Sequence, residues 1–457
     1  MPFPKILFNA STGSDTAASG AGPAIALTGS GASTTNAGTT VDLSASNPDL
    51  SGVATDGSAC IWIATSTGRQ FGRISAVNNT TKVVTTTGNT WGVTASGQNW
   101  AIGGKRATLD AASSRTLFTT TGWGSGWEVV LETDQTINSS LSITGPNLNL
   151  VVIRSDVQGT FRKITCTADA TAIAYNVAAF KDFVLEDITI ENSNASKTAA
   201  NGLVTSGSGS GRSIVLRRCT IGHPTNAIRI GIDNSLGSTV LVDCTIRNCT
   251  SFSFLGGGNV FAYGSVFHSN GNSFRAGGGS IAIARCLFYS NTNENLLVNP
   301  TNAAILICDS TFDSASTDNL SSNLGSGGST VQVVNCNFTK GGGFGIRAKQ
   351  INELPEMYTV NCNFGSSVDA NTSGKLTVAG SVNETGTIEV TPTYVDRSTA
   401  NYGPGSAIIG QGYPKSPATL GDNIAVATSS IDIGAFQSAG GGGSGGSYSP
   451  IDNILIG

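Results

Sequence analysis

Eight times between Val184 and Phe364 the chain returns to one short phrase, in which a mostly polar residue is followed by a small or sulfur-bearing one, a spacer and a large apolar one. The copies are Glu186–Ile190, Arg217–Ile221, Val242–Ile246, Tyr263–Phe267, Ala284–Phe288, Cys308–Phe312, Val334–Phe338 and Val360–Phe364, at intervals of 21 to 31 residues. Self-similarity on a period of roughly 20 to 50 residues is the mark of a solenoid, whose units bury their apolar faces only by stacking.

The phrase also says which solenoid. Most copies alternate over about five residues, the two-residue period of a strand and not the 3.6 of a helix. Runs such as Ser206-Gly207-Ser208-Gly209-Ser210 and Gly256-Gly257-Gly258 between copies cannot support crossover helices. Each copy therefore reads as one rung of a parallel β-helix, with equivalent residues stacked about 4.8 Å apart. The third position (Ile188, Cys219, Cys244, Ser265, Cys286, Ser310, Cys336, Cys362) and the fifth (Ile190, Ile221, Ile246, then Phe267 to Phe364) are expected to face inward. The second and fourth are expected to face solvent.

Composition agrees with a long β core. The chain has 457 residues, 59 of them glycine, with only 12% charged, yet enough Val, Ile, Leu and Phe to bury an interior. A formal net charge of -4 without any Lys/Arg block argues against nucleic acid or an anionic membrane as partner. The opening run, Met1 to Phe8, is too short for a secretory signal, and no stretch approaches the roughly 18 apolar residues of a membrane span. Synthesis in the cytoplasm, with release by lysis or assembly, is the expected origin. Nine cysteines, an odd number with no CxxC pair, indicate neither a disulfide framework nor a zinc site. Five of them fall in the inward third column, where cysteine acts as a small buried hydrophobe, while Cys249 has no place in the repeat.

The organisation read along the chain has six parts. Residues 1–40 form a low-complexity arm of Ser, Thr, Gly and Ala, and residues 41–110 a small antiparallel β domain with Trp62, Trp91 and Trp100 as core. Residues 111–390 are the parallel β-helix, and residues 391–437 cover its last, otherwise exposed rung. A Gly/Ser linker, 438–447, then leads to an apolar peptide, 448–457, able to dock on a partner.

The candidate functional residues come from the second position, expected to form an outward ladder of Asp187, Arg218, Asp243, Arg285 and Asp309. As a binding surface it presents both signs of charge. As a catalytic one its candidates are Asp187, Asp243 and Asp309, because Asp187 and Asp243 stand two rungs, or about 9.6 Å, apart. That is near the upper end of the separation used by inverting glycosidases, and carboxylates beside an Arg also suit a calcium-assisted lyase. The competing reading is structural, since alternating signs cancel repulsion along an in-register stack, and it is the stronger of the two. No cofactor or resident metal is expected.

The rungs resemble the pectate-lyase-like superfamily of right-handed parallel β-helices. Ser406-Ala407-Ile408-Ile409-Gly410 with Asp432-Ile433-Gly434-Ala435-Phe436-Gln437 resembles the end of bacterial repeat proteins that finish on Asp-Ile-Gly-Ala-aromatic-Glu, with Gln437 in place of the Glu. Together with Asp56-Gly57-Ser58 and the run from Asn99 to Arg106, this is similar to β-helix proteins of bacteriophages and prophages, tailspikes among them. The resemblance implies an all-β fold with a right-handed solenoid, a small N-terminal domain and a C-terminal cap. It implies a structural protein at the virion surface (a spike, fibre or decoration) or an extracellular one. Its partners would be other virion proteins, through the arm or the terminal peptide, host surface glycans, and two further copies in a homotrimer. The alternative it implies is a polysaccharide depolymerase, lyase or hydrolase. Polygalacturonase-like members carry Asn-Thr-Asp, Asp-Asp, Gly-His-Gly and Arg-Ile-Lys, none of which occurs intact; Gly222-His223-Pro224 and Ile346-Arg347-Ala348-Lys349 are partial matches. With only His223 and His268 present, no acid–base dyad is nominated.

Overall fold

A strand whose side chains alternate between an apolar interior and an exterior must turn sharply to stay wrapped around its own core, and the repeat phrase is where this chain turns. In the computed structural model, the described residues are 5–11, 27–118 and 127–364, apart from short segments within them, and the strands Val382–Thr385, Tyr394–Asp396 and Asn401–Pro404. They are almost entirely β, and the chain divides into two units, Met1–Arg229 and Ile230–Gly457. Both contain parallel coils of three strands each, so the parallel β-solenoid inferred from the repeat is the fold.

In the first unit, the first sheet stacks Lys5–Phe8, Trp127–Leu131, Leu150–Ser155, Asp182–Glu186 and Ser213–Arg217, all parallel. Its register sets Val129, Ile153, Leu185 and Leu216 above one another, all at 0% exposure, which is why these strands read as Val/Ile/Leu alternation. The second and third sides are Gln135–Ile137, Arg162–Cys166 and Ile188–Asn192, and Leu141–Ile143, Ile173–Tyr175 and Val204–Ser206. The strand beyond Trp127–Leu131 comes from a distance, and Lys105–Arg106 forms the edge outside it. Lys5–Phe8 pairs in parallel with both Trp127–Leu131 and Lys105–Arg106, so backbone groups that an end coil would leave open are hydrogen-bonded.

In the sequence between Phe8 and Lys105 lies a closed antiparallel barrel of Leu27–Thr34, Thr40–Asp42, Cys60–Thr65, Gly68–Asn78, Val83–Thr87 and Ala95–Gly103. Its core holds Val41, Ile61, Ile63, Ile74, Val84, Trp91 and Trp100; the Trp100 indole donates to Ser46 Oγ at 3.1 Å. The side chain of Trp62 is outside the described residues. Leu27–Thr34 belongs to the barrel although composition places it in the low-complexity arm. The reason is steric, because a Cβ on Gly29 would stand 2.7 Å from the Trp100 ring, so the strand is glycine-rich where the tryptophan covers it.

In the second unit the first sheet runs through Ser238–Val242, Val260–Tyr263, Ile281–Ala284, Ala304–Cys308, Thr330–Val334, Met357–Val360 and Val382–Thr385. The fifth position of the phrase behaves as expected. Phe267, Phe288, Phe312, Phe338 and Phe364 form an inward ladder of parallel rings, with successive centroids 4.8 to 5.0 Å apart and planes within 8°. The third position is inward too, with Cys244, Ser265, Cys286, Ser310, Cys336 and Cys362 at 1% exposure or less. The fourth departs from expectation, since Leu287, Thr311, Asn337 and Asn363 are at 3% or less instead of facing solvent. Asn363 donates to the Asn337 carbonyl oxygen at 2.8 Å, which satisfies amides that alternation alone assigns to water. Of the proposed cap, the described part is an antiparallel pairing of Tyr394–Asp396 with Asn401–Pro404. The rest of 391–437, the linker and the 448–457 peptide lie outside the described residues.

Candidate functional site

The second position, which carries every candidate charge, is not a strand position at all. Asp187, Arg218, Asp243, Arg285, Asp309 and Asn335 all have φ between 48° and 54°, and Gly264 has 60°. Each is a single left-handed residue forming the corner between the first and second strand of its coil. Asp, Asn and Gly tolerate this region, whereas a longer side chain gives up about 1–2 kcal/mol there. The corner is held by the backbone, with the second-position N–H donating to the first-position carbonyl of the next coil. The bonds Asp187 to Arg217, Asp243 to Tyr263, Gly264 to Ala284, Arg285 to Cys308, Asp309 to Val334 and Asn335 to Val360 are 2.9 to 3.1 Å.

The third-position thiols and hydroxyls complete the turn. Each donates to the carbonyl two residues back, across the corner: Cys219 to Arg217, Cys244 to Val242 and Cys336 to Val334 at 3.3 Å, Ser265 to Tyr263 at 3.1 Å and Ser310 to Cys308 at 2.9 Å. Serine also accepts, Ser265 Oγ from the Cys244 N–H and Ser310 Oγ from the Cys286 N–H. Burial pushes the Cys286 thiol up to about 12 and raises those of Cys336 and Cys249. These are poor nucleophiles held as donors. Cys249, unplaced by the repeat, does the same at the next corner. It follows the left-handed Asn248 and donates to Arg247 O at 3.5 Å. Below it an amide ladder runs from Asn270 to Asn291, Asn295 and Asn319, all buried.

The expectation of a solvent-facing charge ladder is therefore corrected. Asp187 is 3% exposed and Asp309 1%, while Asp243 is exposed. Arg218 grips Asp187 through two bonds, Nε to Oδ1 at 2.7 Å and Nη2 to Oδ2 at 3.0 Å, and reaches Glu186 at 2.6 Å. These bonds to the two carboxylates hold the guanidinium pKa well above its usual value. Asp309 accepts from the Asn335 amide at 3.1 Å. Arg285 lies over the Tyr263 ring and donates to its hydroxyl at 3.1 Å. Asp243 extends its carboxylate over the Cα of Gly264, where a Cβ would stand 2.3 Å from Oδ1.

At the end of the second strand, one position past the inward phenylalanines, the rings of His268 and Tyr289 stack at 4.9 Å and 9°. Burial, with the Arg247 charge adding to it, lowers the His268 pKa to about 4. Neutral at ordinary pH, His268 meets Ser269 Oγ at 3.1 Å and stacks on Tyr289.

A feature that sequence reasoning missed lies on the outer face of the first sheet in the second unit. Val240, Phe261, Ala282, Leu306 and Gln332 follow one another in register as the outward counterparts of the buried Leu241, Ala262, Ile283, Ile307 and Val333. They floor a groove of about 690 Å³ rimmed by Ser238, Asn259 and Ser280. The only sequence signal was a set of apolar residues at outward positions of strands whose neighbours already supply the core.

No family model and no curated protein matches the chain.

What the arrangement can do chemically is thus limited by its geometry. The corner carboxylates are held by an arginine, an amide and the backbone turn. Among the described residues, the groove lining contains no Asp, Glu, His, Lys, Arg or Cys. Among the described residues no group of three or more His, Cys, Asp or Glu is arranged to hold a metal ion, and no helix is long and apolar enough to cross a membrane.

Proposed function

We propose that the chain is a structural protein of a bacteriophage virion surface, a spike, fibre or decoration, whose solenoid serves as a stiff support. In this reading it assembles as a homotrimer and contacts other virion proteins or host surface glycans. The resemblance of its rungs and closing phrases to phage β-helix proteins supports the assignment. The observation that carries the non-enzymatic reading is that the described residues lining the groove along the first sheet include no ionisable one. Glycoside cleavage needs two carboxylates flanking the scissile bond, one as acid and one as base or nucleophile. A shallow surface that binds a polymer without cleaving it needs only apolar patches and neutral hydrogen-bonding groups, which Phe261, Asn259 and Ser280 supply.

Two measurements test this. Mass spectrometry of density-purified phage particles from the source host should find the chain among virion proteins; its absence from particles that otherwise contain the full tail and capsid set overturns the assignment. A panel of capsular and pectic polysaccharides incubated with the purified chain should release neither reducing ends nor unsaturated sugars. Turnover abolished by Asp243→Asn would instead establish a depolymerase.

A further inference from the structure

We infer that the chain self-associates through a rigid apolar plug, Val157 and Phe161, which seats in the first-sheet groove of a second copy. Where the coils from Asp182–Glu186 onward turn from first to second strand at a left-handed corner residue, the coil of Leu150–Ser155 and Arg162–Cys166 inserts six residues, 156–161. The insert carries Val157 at 53% and Phe161 at 50% exposure, the exposed large hydrophobics among the described residues.

The insert is built to hold these side chains out. At its base Arg162 clamps Asp156 with two bonds, Nε to Oδ1 at 2.8 Å and Nη2 to Oδ2 at 3.1 Å. At its tip the Thr160 N–H closes on Val157 O at 3.1 Å, and Gly159 takes φ 79°, a value that only glycine adopts without strain. A pinned loop loses little conformational freedom on docking, which favours an interface anchor over a loop waiting to fold back.

The surface that matches it must be apolar, concave and uncharged. From Val157 to Phe161 the tip has no charge, and neither does the groove floored by Val240, Phe261, Ala282 and Leu306. No ion has to be desolvated on either side, and a second copy of the chain brings that groove with it. Plug and groove are different surfaces, so the contact is heterologous, and each copy uses one of each. Phenylalanine buries about 150–250 Å² at such a contact, so plug and groove alone fall short of the roughly 1,200 Å² of a standard interface. The association is therefore reversible, and concentrations of tens of micromolar reveal it. The contact is the one that joins the copies of the proposed homotrimer, yet it does not need the virion assignment, because a self-associating chain need not be viral.

Gel filtration with light scattering on the full chain tests it. The unmodified chain should show a mass above one copy that falls on dilution. Phe161→Asp, with Val157→Asp as a second variant, should give the single-chain mass, and so should Ala282→Arg, which fills the groove from a half-buried outward position. An equimolar mixture of Phe161→Asp and Ala282→Arg should re-form a one-to-one pair, since one partner keeps the groove and the other the plug. Thermal unfolding of each variant within a few degrees of the parent confirms that the fold is kept. A parent that is a single chain at every concentration overturns the proposal. So does a Phe161→Asp variant of unchanged mass, or a mixture that stays single-chain because the contact joins like to like.

Discussion

Phe312→Ala is the most direct measure of what the repeat is for. Phe312 is 0% exposed, with parallel rings 4.8 Å away on one side (Phe288) and 4.9 Å on the other (Phe338). Truncating a buried phenylalanine costs about 3–5 kcal/mol through lost transfer energy and the cavity left behind. Each ring pair adds roughly 0.5–1.5 kcal/mol, part of which that figure already contains. The in-register backbone on both sides limits collapse into the cavity, so the upper half of the range, about 4–5 kcal/mol, applies. Coils interact only with their neighbours, so the loss should be local and should leave the first unit's transition in place. Urea unfolding followed by far-UV circular dichroism and by intrinsic fluorescence reads both, since Trp91 and Trp100 lie in the barrel. Phe312→Leu, which keeps most of the volume, should lose about half as much. A loss below about 1 kcal/mol for Phe312→Ala would refute the idea that the stacked rings carry the core, as would an equal shift of the tryptophan transition.

Three further outcomes follow from the corners and the second strand's outer face. All nine cysteines are buried and outside disulfides, so an aromatic disulfide reagent should titrate none in the native chain and nine in urea; a fast-reacting native thiol in the third column would contradict its donor role. Asp187→Asn keeps a residue suited to φ 54° but loses the charge that Arg218 grips, at a cost of about 1–3 kcal/mol, and Asp187→Val should cost about 1–2 kcal/mol more through backbone strain; equal urea midpoints for the two variants would show that the corner imposes no strain. His268 has a folded pKa of about 4 against the ordinary 6.5 of a histidine, so the unfolded chain takes up the proton first. Its contribution is intact above pH 6.5, is lost as the pH falls toward 4, and changes no further below that. His268→Gln should flatten this window relative to the parent, and identical pH profiles would remove the histidine from the account.

The repeat made the interior legible because burial writes itself into sequence at a fixed period. A Cys or Ser two residues before a Phe or Ile places both side chains inside, and Cys286, Phe288, Ser310 and Phe312 are all there at 0% exposure. The corners were not legible by the same rule. Strict alternation sends Asp187 and Asp309 to solvent, but a left-handed residue between two strands breaks the alternation and lets the turn draw them in. Composition misjudged Leu27–Thr34, since a strand beneath a tryptophan needs glycine where most strands need Val or Ile. The pairing of Lys5–Phe8 with Trp127–Leu131 joins segments more than a hundred residues apart, and no periodicity of either segment encodes it. The first-sheet groove escaped notice because Val240 and Phe261, taken one at a time, look like further core.

The charge pattern that first suggested a site has a simpler origin in two constraints acting on one column. The left-handed corner favours Asp, Asn and Gly, and an in-register stack about 4.8 Å apart penalises like charges on successive coils. Aspartates at neighbouring corners would satisfy the first constraint and violate the second. The column resolves the conflict three ways. A glycine follows Asp243 at Gly264, an amide follows Asp309 at Asn335, and an arginine follows Asp187 at Arg218, where the bidentate pair offsets the arginine's poor fit to φ 50°. Each solution removes a free carboxylate pair from the corner, so the features that make these residues conspicuous in the sequence are those that unfit them for acid–base work. Recognition is then better sought on surfaces that the turn does not govern, and among the described residues the uncharged groove and the Val157–Phe161 insert are two such surfaces.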